Sequence, residues 1–218
     1  MNYNLYLKYK EEEWLNIHHE DSDVLDGIAA SIMYDTCEDV GNVEDDFTEP
    51  KKIGFVTFSS YNQVLAMTYE LNVDQIPVIS LRTDSKIFKE LDYAFISQET
   101  IDEIGTVTNP NILLLTQFGI SPAFRNKGIG EQVLKCIMKQ MKGQYGYMII
   151  IKPEPAQFSE HCKEVYSRWG VEMDGLEKDP EKAQWELNAF FQRCGFRLFK
   201  NYNDVFVCNI EQAVPNRR

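Results

Sequence analysis

The 218-residue sequence lacks long hydrophobic runs and lacks any cysteine pair with metal-binding or redox spacing. Its longest aliphatic runs are four residues, as in Ile112–Leu115 and Met148–Ile151, whereas a membrane-spanning helix needs about 20 apolar residues. Five cysteines without a Cys-x-x-Cys pair predict neither a metal site nor a disulfide framework. The first residues lack the basic start and apolar stretch of a signal peptide. We therefore expect a cytoplasmic chain with reduced thiols and no membrane partner.

Basic residues are also scarce. The 22 Lys and Arg side chains are outnumbered by 34 Asp and Glu, which leaves a net charge of −12. Phosphate binding needs clustered cations, so this composition argues against nucleic acid as a partner. Nearly all of the acidic excess lies in residues 1–60, which hold 14 acidic and 4 basic side chains. An acidic surface favours a cationic ligand such as an amine.

The length and the 44% hydrophobic content fit one enlarged domain with a buried core. We predict a single domain over 1–218. Within it we predict an acidic N-terminal extension at 1–52, a core at 53–151 and 181–210, and an insertion at 152–180.

The middle of the chain has the clearest secondary-structure pattern. Ile112–Ile120 begins as an apolar run, which predicts a buried strand, and Gly119 permits a bulge or a close backbone approach there. From Ile129 to Met141 the apolar residues form one helical stripe, and Met148–Ile151 predicts a second buried strand. A strand, a helix and a strand of these lengths predict a parallel pair.

Weaker local signals predict the remaining elements. The acidic residues 35–52 predict an exposed connection, and Asp179-Pro180 predicts the start of a helix. Further helices are predicted within Phe88–Ile104, near His161–Trp169 and over 181–194, and a turn is predicted at 201–204. Further strands are predicted at Ile53–Phe58, Val64–Leu71, Val78–Leu81, Phe196–Phe199 and Val205–Ile210. Together these elements predict a mixed α/β fold with one central sheet.

The segment Arg125–Glu131 joins the predicted buried strand to the amphipathic helix. A helix start exposes unpaired backbone N–H groups and the positive end of the helix dipole. Gly128 and Gly130 let a phosphate approach the backbone, and Arg125 and Lys127 can add charge-assisted contacts. The segment therefore predicts a pyrophosphate site.

The sequence does not match two common nucleotide-binding motifs. A dinucleotide fingerprint would need a third glycine where Val133 stands, and no Gly-Lys-Ser/Thr sequence follows as a P-loop requires. The run Arg125–Gly130 instead resembles the R/Q-x-x-G-x-G/A signature of the GCN5-related N-acetyltransferase (GNAT) superfamily. It follows Ile120-Ser121-Pro122, as it does in that family, and Phe190–Phe196 resembles the second helix of the family, which ends in Gly-Phe.

The resemblance covers about 112–151 and 181–210. It implies a twisted mixed β-sheet flanked by helices and split between two central parallel strands, with acetyl-CoA as co-substrate in the split and no metal. Backbone groups near the end of the first strand would bind the pantetheine arm, and the loop and helix start would bind the pyrophosphate. The implied cofactor-binding residues are Phe118, Gly119, Ile120, Arg125, Asn126, Lys127, Gly128, Ile129, Gly130 and Glu131.

The resemblance also implies an activity, the transfer of an acetyl group to a primary amine by direct attack on the thioester. The acceptor is expected to be a small-molecule amine, with a peptide amine as the other option. A non-catalytic acyl-CoA-binding module and a protein-interaction domain on the same fold stay open as alternatives. So does a homodimer, because exposed strands of this fold invite pairing.

The sequence departs from the family at the usual proton-transfer positions, so no catalytic residue is assigned. Phe191 stands where many members have a tyrosine that protonates the leaving thiolate, and Leu114 stands where some have a glutamate base. Several groups remain open as the acid or the base. The acid could be Cys194, Tyr166, Tyr202 or water, and the base could be Glu70, Asp74 or Glu154, with His161 as a further candidate in the insertion.

Overall fold

A computed structural model describes residues 2–9, 25–37, 50–62, 102–199 and 205–213. These residues form one mixed sheet with helices against it. The strands are β1 (Asn2–Tyr9), β2 (Leu25–Cys37), β3 (Lys51–Tyr61), β4 (Ile112–Ile120), β5 (Tyr147–Ile151), β6 (Arg197–Leu198) and β7 (Val205–Asn209). The helices are α1 (Ile129–Met141), α2 (Glu160–Arg168), α3 (Pro180–Arg193) and α4 (Ile210–Ala213), with short 3-10 turns at Pro122–Phe124 and Ala156–Phe158.

The sheet has the order β1-β2-β3-β4-β5-β7-β6 among the described strands. Every neighbouring pair is antiparallel except β4 and β5, which are parallel as the crossover length predicts. Ile112–Leu114 pair with Tyr147–Ile149, and beyond these residues the two strands separate. The predicted fold class, a mixed sheet flanked by helices and split between two central parallel strands, is confirmed.

A β-bulge lies on β4 just beyond the last pair with β5. Thr57 of β3 is opposite Gln117 and Phe58 is opposite Leu115, so Thr116 is an extra residue on β4. The Thr116 and Thr57 hydroxyls are hydrogen-bonded at 2.7 Å. A bulge bends its strand and increases the local twist, so this one turns the end of β4 away from β5.

One face of the sheet carries the main core, under α1 and α3. The predicted stripe of α1 is wholly buried: Ile129, Val133, Leu134, Ile137, Met138 and Met141. It packs with inward residues of the strands and with Phe191, Cys194 and Phe196 from the end of α3 and just beyond it. The start of α3 is as predicted, because the Asp179 carboxylate accepts a hydrogen bond from the Lys182 amide at 2.8 Å and Pro180 is the first helical residue.

The opposite face is covered beside β2 and β3 by α2. Val165, Trp169 and Val171 are buried against Phe55 of β3. The indole of Trp169 stacks on the Phe55 ring with the ring centroids 5.3 Å apart, and the ring of Tyr166 meets Phe55 edge to face at 5.0 Å. The predicted insertion therefore packs on the sheet.

The N-terminal part of the chain also belongs to the sheet. β1 and β2, which lie within the predicted acidic extension, pair with each other, and β2 pairs with β3. Residues 35–37 of the predicted exposed connection lie in β2, and residues 51–52 lie in β3. Within the described ranges, no helix has the length and apolar character that a membrane crossing requires.

Several predicted elements are shortened or lie outside the described residues. The strand predicted at Phe196–Phe199 is limited to Arg197–Leu198, because Gly195 adopts φ +100° and turns the chain just before it. Ile210 begins α4, and its amide donates to the Gly146 carbonyl at 2.8 Å. The strands predicted at 64–71 and 78–81, the turn at 201–204 and most of 88–104 lie outside the described residues, as do Glu70, Asp74 and Tyr202.

Gly119 is required by a close approach between β4 and β3. A Cβ atom at this position would lie 2.4 Å from Cε1 of Phe55, and the Phe55 ring is fixed between Tyr166 and Trp169. Of the two roles that the sequence allowed for Gly119, the close approach applies, and the bulge is at Thr116.

We expect Gly119→Ala to lower the free energy of unfolding by about 1–3 kcal/mol, because the fixed Phe55 ring cannot move away from the added methyl group. Urea denaturation of this variant, of Phe55→Leu and of the double variant measures the effect. The alanine should cost much less in the Phe55→Leu background, where the aromatic ring is gone. Equal costs in both backgrounds would contradict this reason.

Candidate functional site

The end of β4 is an open backbone edge. The carbonyl oxygens of Phe118 and Ile120 point away from β3 and accept hydrogen bonds from side chains. The Tyr166 hydroxyl donates to the Phe118 carbonyl at 2.9 Å, and Nε of Arg125 donates to the Ile120 carbonyl at 2.7 Å. These are the backbone groups at which the resemblance places the pantetheine arm.

The loop after β4 reverses the chain within eight residues. The Ser121 amide donates to the Ile53 carbonyl at 2.7 Å and continues the pairing with β3. Asn126 and Gly128 then adopt left-handed backbone conformations, with φ of +57° and +74°. The glycine is favoured there, because L side chains rarely take this conformation. A Cβ atom on Gly128 would meet nothing within 4 Å, so this position is open to a ligand.

The first turn of α1 has no side-chain cap. Gly128 is the N-cap residue and lacks a side chain that could accept from the helix amides. Among the described residues, no hydrogen-bond acceptor is found for the backbone amides of residues 126–131. Unpaired amides at a helix N-terminus are a site for phosphate oxygens. The Glu131 carboxylate in the same turn is paired with Lys135 at 2.5 Å, and this pair lowers the pKa of Glu131.

A cleft of about 640 Å³ lies between this loop and α3. Seven of the ten predicted cofactor-binding residues line it: Phe118, Ile120, Arg125, Asn126, Gly128, Gly130 and Glu131. The other three do not. Gly119 faces Phe55, Ile129 is buried in the core, and Lys127 is exposed with its ammonium group 6.0 Å from the centre of the Phe124 ring.

Residues of α3 form the wall that the sequence did not predict. Trp185, Leu187 and Phe190 line the cleft, and Phe190 stacks on Phe118 with the ring centroids 6.0 Å apart. A Cβ atom on Gly130 would lie 3.3 Å from Phe190, so this glycine also allows α1 and α3 to approach closely. The signal in the sequence was Trp185, an aromatic residue off the apolar stripe, whose side chain is 70% exposed.

Arg125 binds the protein itself. Besides the Ile120 carbonyl, its guanidinium donates to the carbonyls of Glu172 and Asp174. Burial lowers the pKa of Arg125, although the neighbouring Tyr166 and Asp174 act in the opposite direction. The side chain therefore ties the end of β4 to the loop after α2. A direct contact of Arg125 with pyrophosphate stays a prediction.

The acid and base candidates lie in different environments. Cys194 is 1% exposed and lies outside the cleft, and burial raises its pKa to about 12. Phe191 is buried among aromatic rings of the core, and Glu154 is exposed after β5.

His161 is exposed on α2, and its Nε2 lies 3.3 Å from Nε2 of Gln117 on β4. Tyr166 alone of the described acid candidates lines the cleft.

The chain is similar in structure to solved proteins of low sequence identity. No family model matches the chain, and no curated protein does. Among solved structures, the chain is similar to one described as a KacTA–DNA complex, with 12% identity, a TM-score of 0.40 and coverage of 97% of this chain and 96% of that one. It is also similar to the Y145F mutant of KacT, with 13% identity, a TM-score of 0.37 and coverage of 98% of both chains. These likenesses are too low to transfer an activity, a partner or a site.

The first of these structures contains DNA, whereas this chain has a net charge of −12. The expected absence of a nucleic-acid partner stays a prediction. So does the expected absence of a metal, although no group of three His, Cys, Asp or Glu side chains in the described part of the chain could hold one.

We expect Arg125→Lys to lower the free energy of unfolding by about 2 kcal/mol, because an ammonium group cannot reach three carbonyls that a planar guanidinium reaches. Urea denaturation measures the loss, and amide hydrogen exchange should become faster in residues 171–175. Arg193→Lys, on the exposed face of α3, is the matched control and should change neither. Equal effects in the two variants would contradict the role of Arg125.

Proposed function

We propose that this protein is an acetyl-CoA-dependent N-acetyltransferase with a small-molecule amine as its acceptor. The observation that carries the proposal is the position of one cleft. It joins the open edge of β4, where the parallel pair separates, to the uncapped amides at the start of α1. An extended acyl-pantetheine arm and a pyrophosphate need these two features in this order along the chain.

The donor side follows from backbone chemistry. Pyrophosphate oxygens would accept from the amides of residues 126–131, where the helix dipole favours negative charge. The arm would lie along β4 as an added strand and use the peptide groups of Phe118 and Ile120. The exposed indole of Trp185 at the cleft would lie beside the nucleotide end of the cofactor.

The acceptor would approach from the α2 side of β4. His161 and Gln117 are polar side chains that meet there, and both are accessible to solvent. Once deprotonated, the amine would attack the thioester carbonyl, and the carbon–sulfur bond would break to release the CoA thiolate. His161 replaces the acidic residues as the base that we favour, because its imidazole Nε2 lies 3.3 Å from the Gln117 amide nitrogen on β4.

One observation favours a second function, a non-catalytic acyl-CoA-binding module. Phe191 occupies the usual place of the proton-donating tyrosine, and its ring is 5% exposed among Phe190, Phe196 and Phe206. Such a module would bind acetyl-CoA without turnover. Release of free CoA thiol with a panel of small primary amines and lysine peptides separates the two functions.

We expect acetyl-CoA to bind the wild-type protein in calorimetric titration and to bind Gly128→Glu at least roughly tenfold more weakly, because the added carboxylate would repel the pyrophosphate. Gly143→Glu is the matched control. Gly143 also has a positive φ, +89°, and open space around its Cβ position, but it lies at the other end of α1. Both variants therefore place an L side chain at a positive φ.

Only Gly128→Glu should lose affinity for acetyl-CoA. Equal loss in both would show that strain weakens binding from any position. An absence of binding to the wild-type protein would exclude both the enzyme and the acyl-CoA module, and it would favour the protein-interaction domain.

A further inference from the structure

Tyr166 carries the only hydroxyl group among the described residues that line the donor cleft. The side chains there are otherwise apolar, amide, guanidinium or carboxylate groups, and none is a serine, threonine, cysteine or histidine. Of the acids that the sequence left open, Cys194 lies outside the cleft and Tyr202 lies outside the described residues. Tyr166 is therefore the one described protein group suited to protonate a thiolate in this cleft.

The phenol is also held in place. Its ring and the Phe55 ring meet edge to face, and its hydroxyl donates to the Phe118 carbonyl at 2.9 Å. The first contact is with β3 and the second is with β4, the strand paired to it. The ring cannot swing to solvent without leaving both, so the hydroxyl is fixed at the open edge of β4.

We propose that Tyr166 is the proton donor to the leaving CoA thiolate, in the place that Phe191 cannot fill. The inference rests on the proposed function. With the pyrophosphate on the amides at the start of α1, a pantetheine arm spans a length of about four residues of extended chain. Laid back along β4 from Ile120, it brings the thioester to the stretch Thr116–Phe118, where the phenol lies.

Binding of the arm would also release the phenol for this task. Phe118 lines the cleft, and an amide N–H of the arm would donate to its carbonyl in the manner of an added strand. That bond would replace the one from Tyr166. The hydroxyl would then be free to donate to the sulfur atom while its ring stays packed on Phe55.

Each proton in the proposed step has a donor and an acceptor. The amine nitrogen forms a bond to the acetyl carbon, the carbon–sulfur bond breaks, and the Tyr166 hydroxyl proton passes to sulfur and gives free CoA thiol. The tetrahedral intermediate carries an acidic N–H, and loss of that proton during amide formation restores the phenol. Burial raises the pKa of Tyr166 to about 12, so the group is protonated at neutral pH, and the nearby Arg125 cation favours the transient phenolate.

The test is Tyr166→Phe in the full chain, with Tyr147→Phe as the matched control. The Tyr147 hydroxyl donates to the Gly105 carbonyl at 2.8 Å and lies outside the cleft, so the control also loses a phenol-to-carbonyl hydrogen bond. We expect kcat for CoA release to fall roughly 100-fold in Tyr166→Phe, with little change in the Kd for acetyl-CoA. The control should keep kcat.

A fluorinated tyrosine series at position 166 separates proton donation from packing. Fluorine acidifies the phenol but keeps the ring and the hydroxyl. For a donor, log kcat should vary with the acidity of the phenol, whereas the Kd should stay constant. A kcat that is the same across the series, or the same in Tyr166→Phe as in the wild-type protein, would overturn the proposal.

The outcomes also separate the two proposals. If the wild-type protein releases CoA and Tyr166→Phe does so equally, the assignment of Tyr166 fails and the acetyltransferase stands. If the wild-type protein binds acetyl-CoA but releases none with any amine of the panel, the acetyltransferase fails and Tyr166 has no reaction to serve.

Discussion

The change in pairing of β4 between Leu114 and Thr116 is the constraint on which the candidate site depends. Up to Leu114 the strand has partners on both sides, and after the bulge it pairs with β3 alone. The freed edge must still satisfy its peptide groups, because an unpaired carbonyl away from water costs free energy. Side chains from later in the chain satisfy two of them, Tyr166 at Phe118 and Arg125 at Ile120. The separation of β4 from β5 therefore exposes the carbonyls that Tyr166 and Arg125 bind.

The segment at 152–180 holds the two walls of the cleft in position. It reaches the β4 wall through Arg125, whose guanidinium binds the carbonyls of Glu172 and Asp174. It reaches the α3 wall through Glu177, which accepts from the amides of residues 178 and 179 and pairs with Lys182. These contacts lower the pKa of Glu177 to about 2, first through the hydrogen bond from Lys182. A segment that the sequence marks as an insertion is therefore part of the framework that positions the site.

Local patterns were enough to predict the strand, loop, helix and strand at 112–151. There the apolar run predicts a buried strand, the helical stripe predicts an amphipathic helix, and the glycines predict a turn. Contacts between distant residues were beyond such patterns. The bulge at Thr116 depends on the register against β3, and Gly119 faces a ring from Phe55 that no local signal connects to it. β1 and β2 lie within the predicted acidic extension and were not predicted as strands, although their pairing with each other and with β3 makes them part of the sheet.

The predicted role of Arg125 shows how a motif and a fold can use one residue differently. The sequence predicts that Arg125 contacts the pyrophosphate as a cation. In the structure its guanidinium donates hydrogen bonds to three backbone carbonyls. Those bonds still serve the site, because they fix the end of β4 and hence the direction in which the loop delivers the amides of residues 126–131. An anion bound there would meet backbone donors whose orientation is set before it arrives, and little conformational entropy would be lost on binding. The guanidinium would then contribute to anion binding chiefly through the shape it maintains, and only secondarily through its charge.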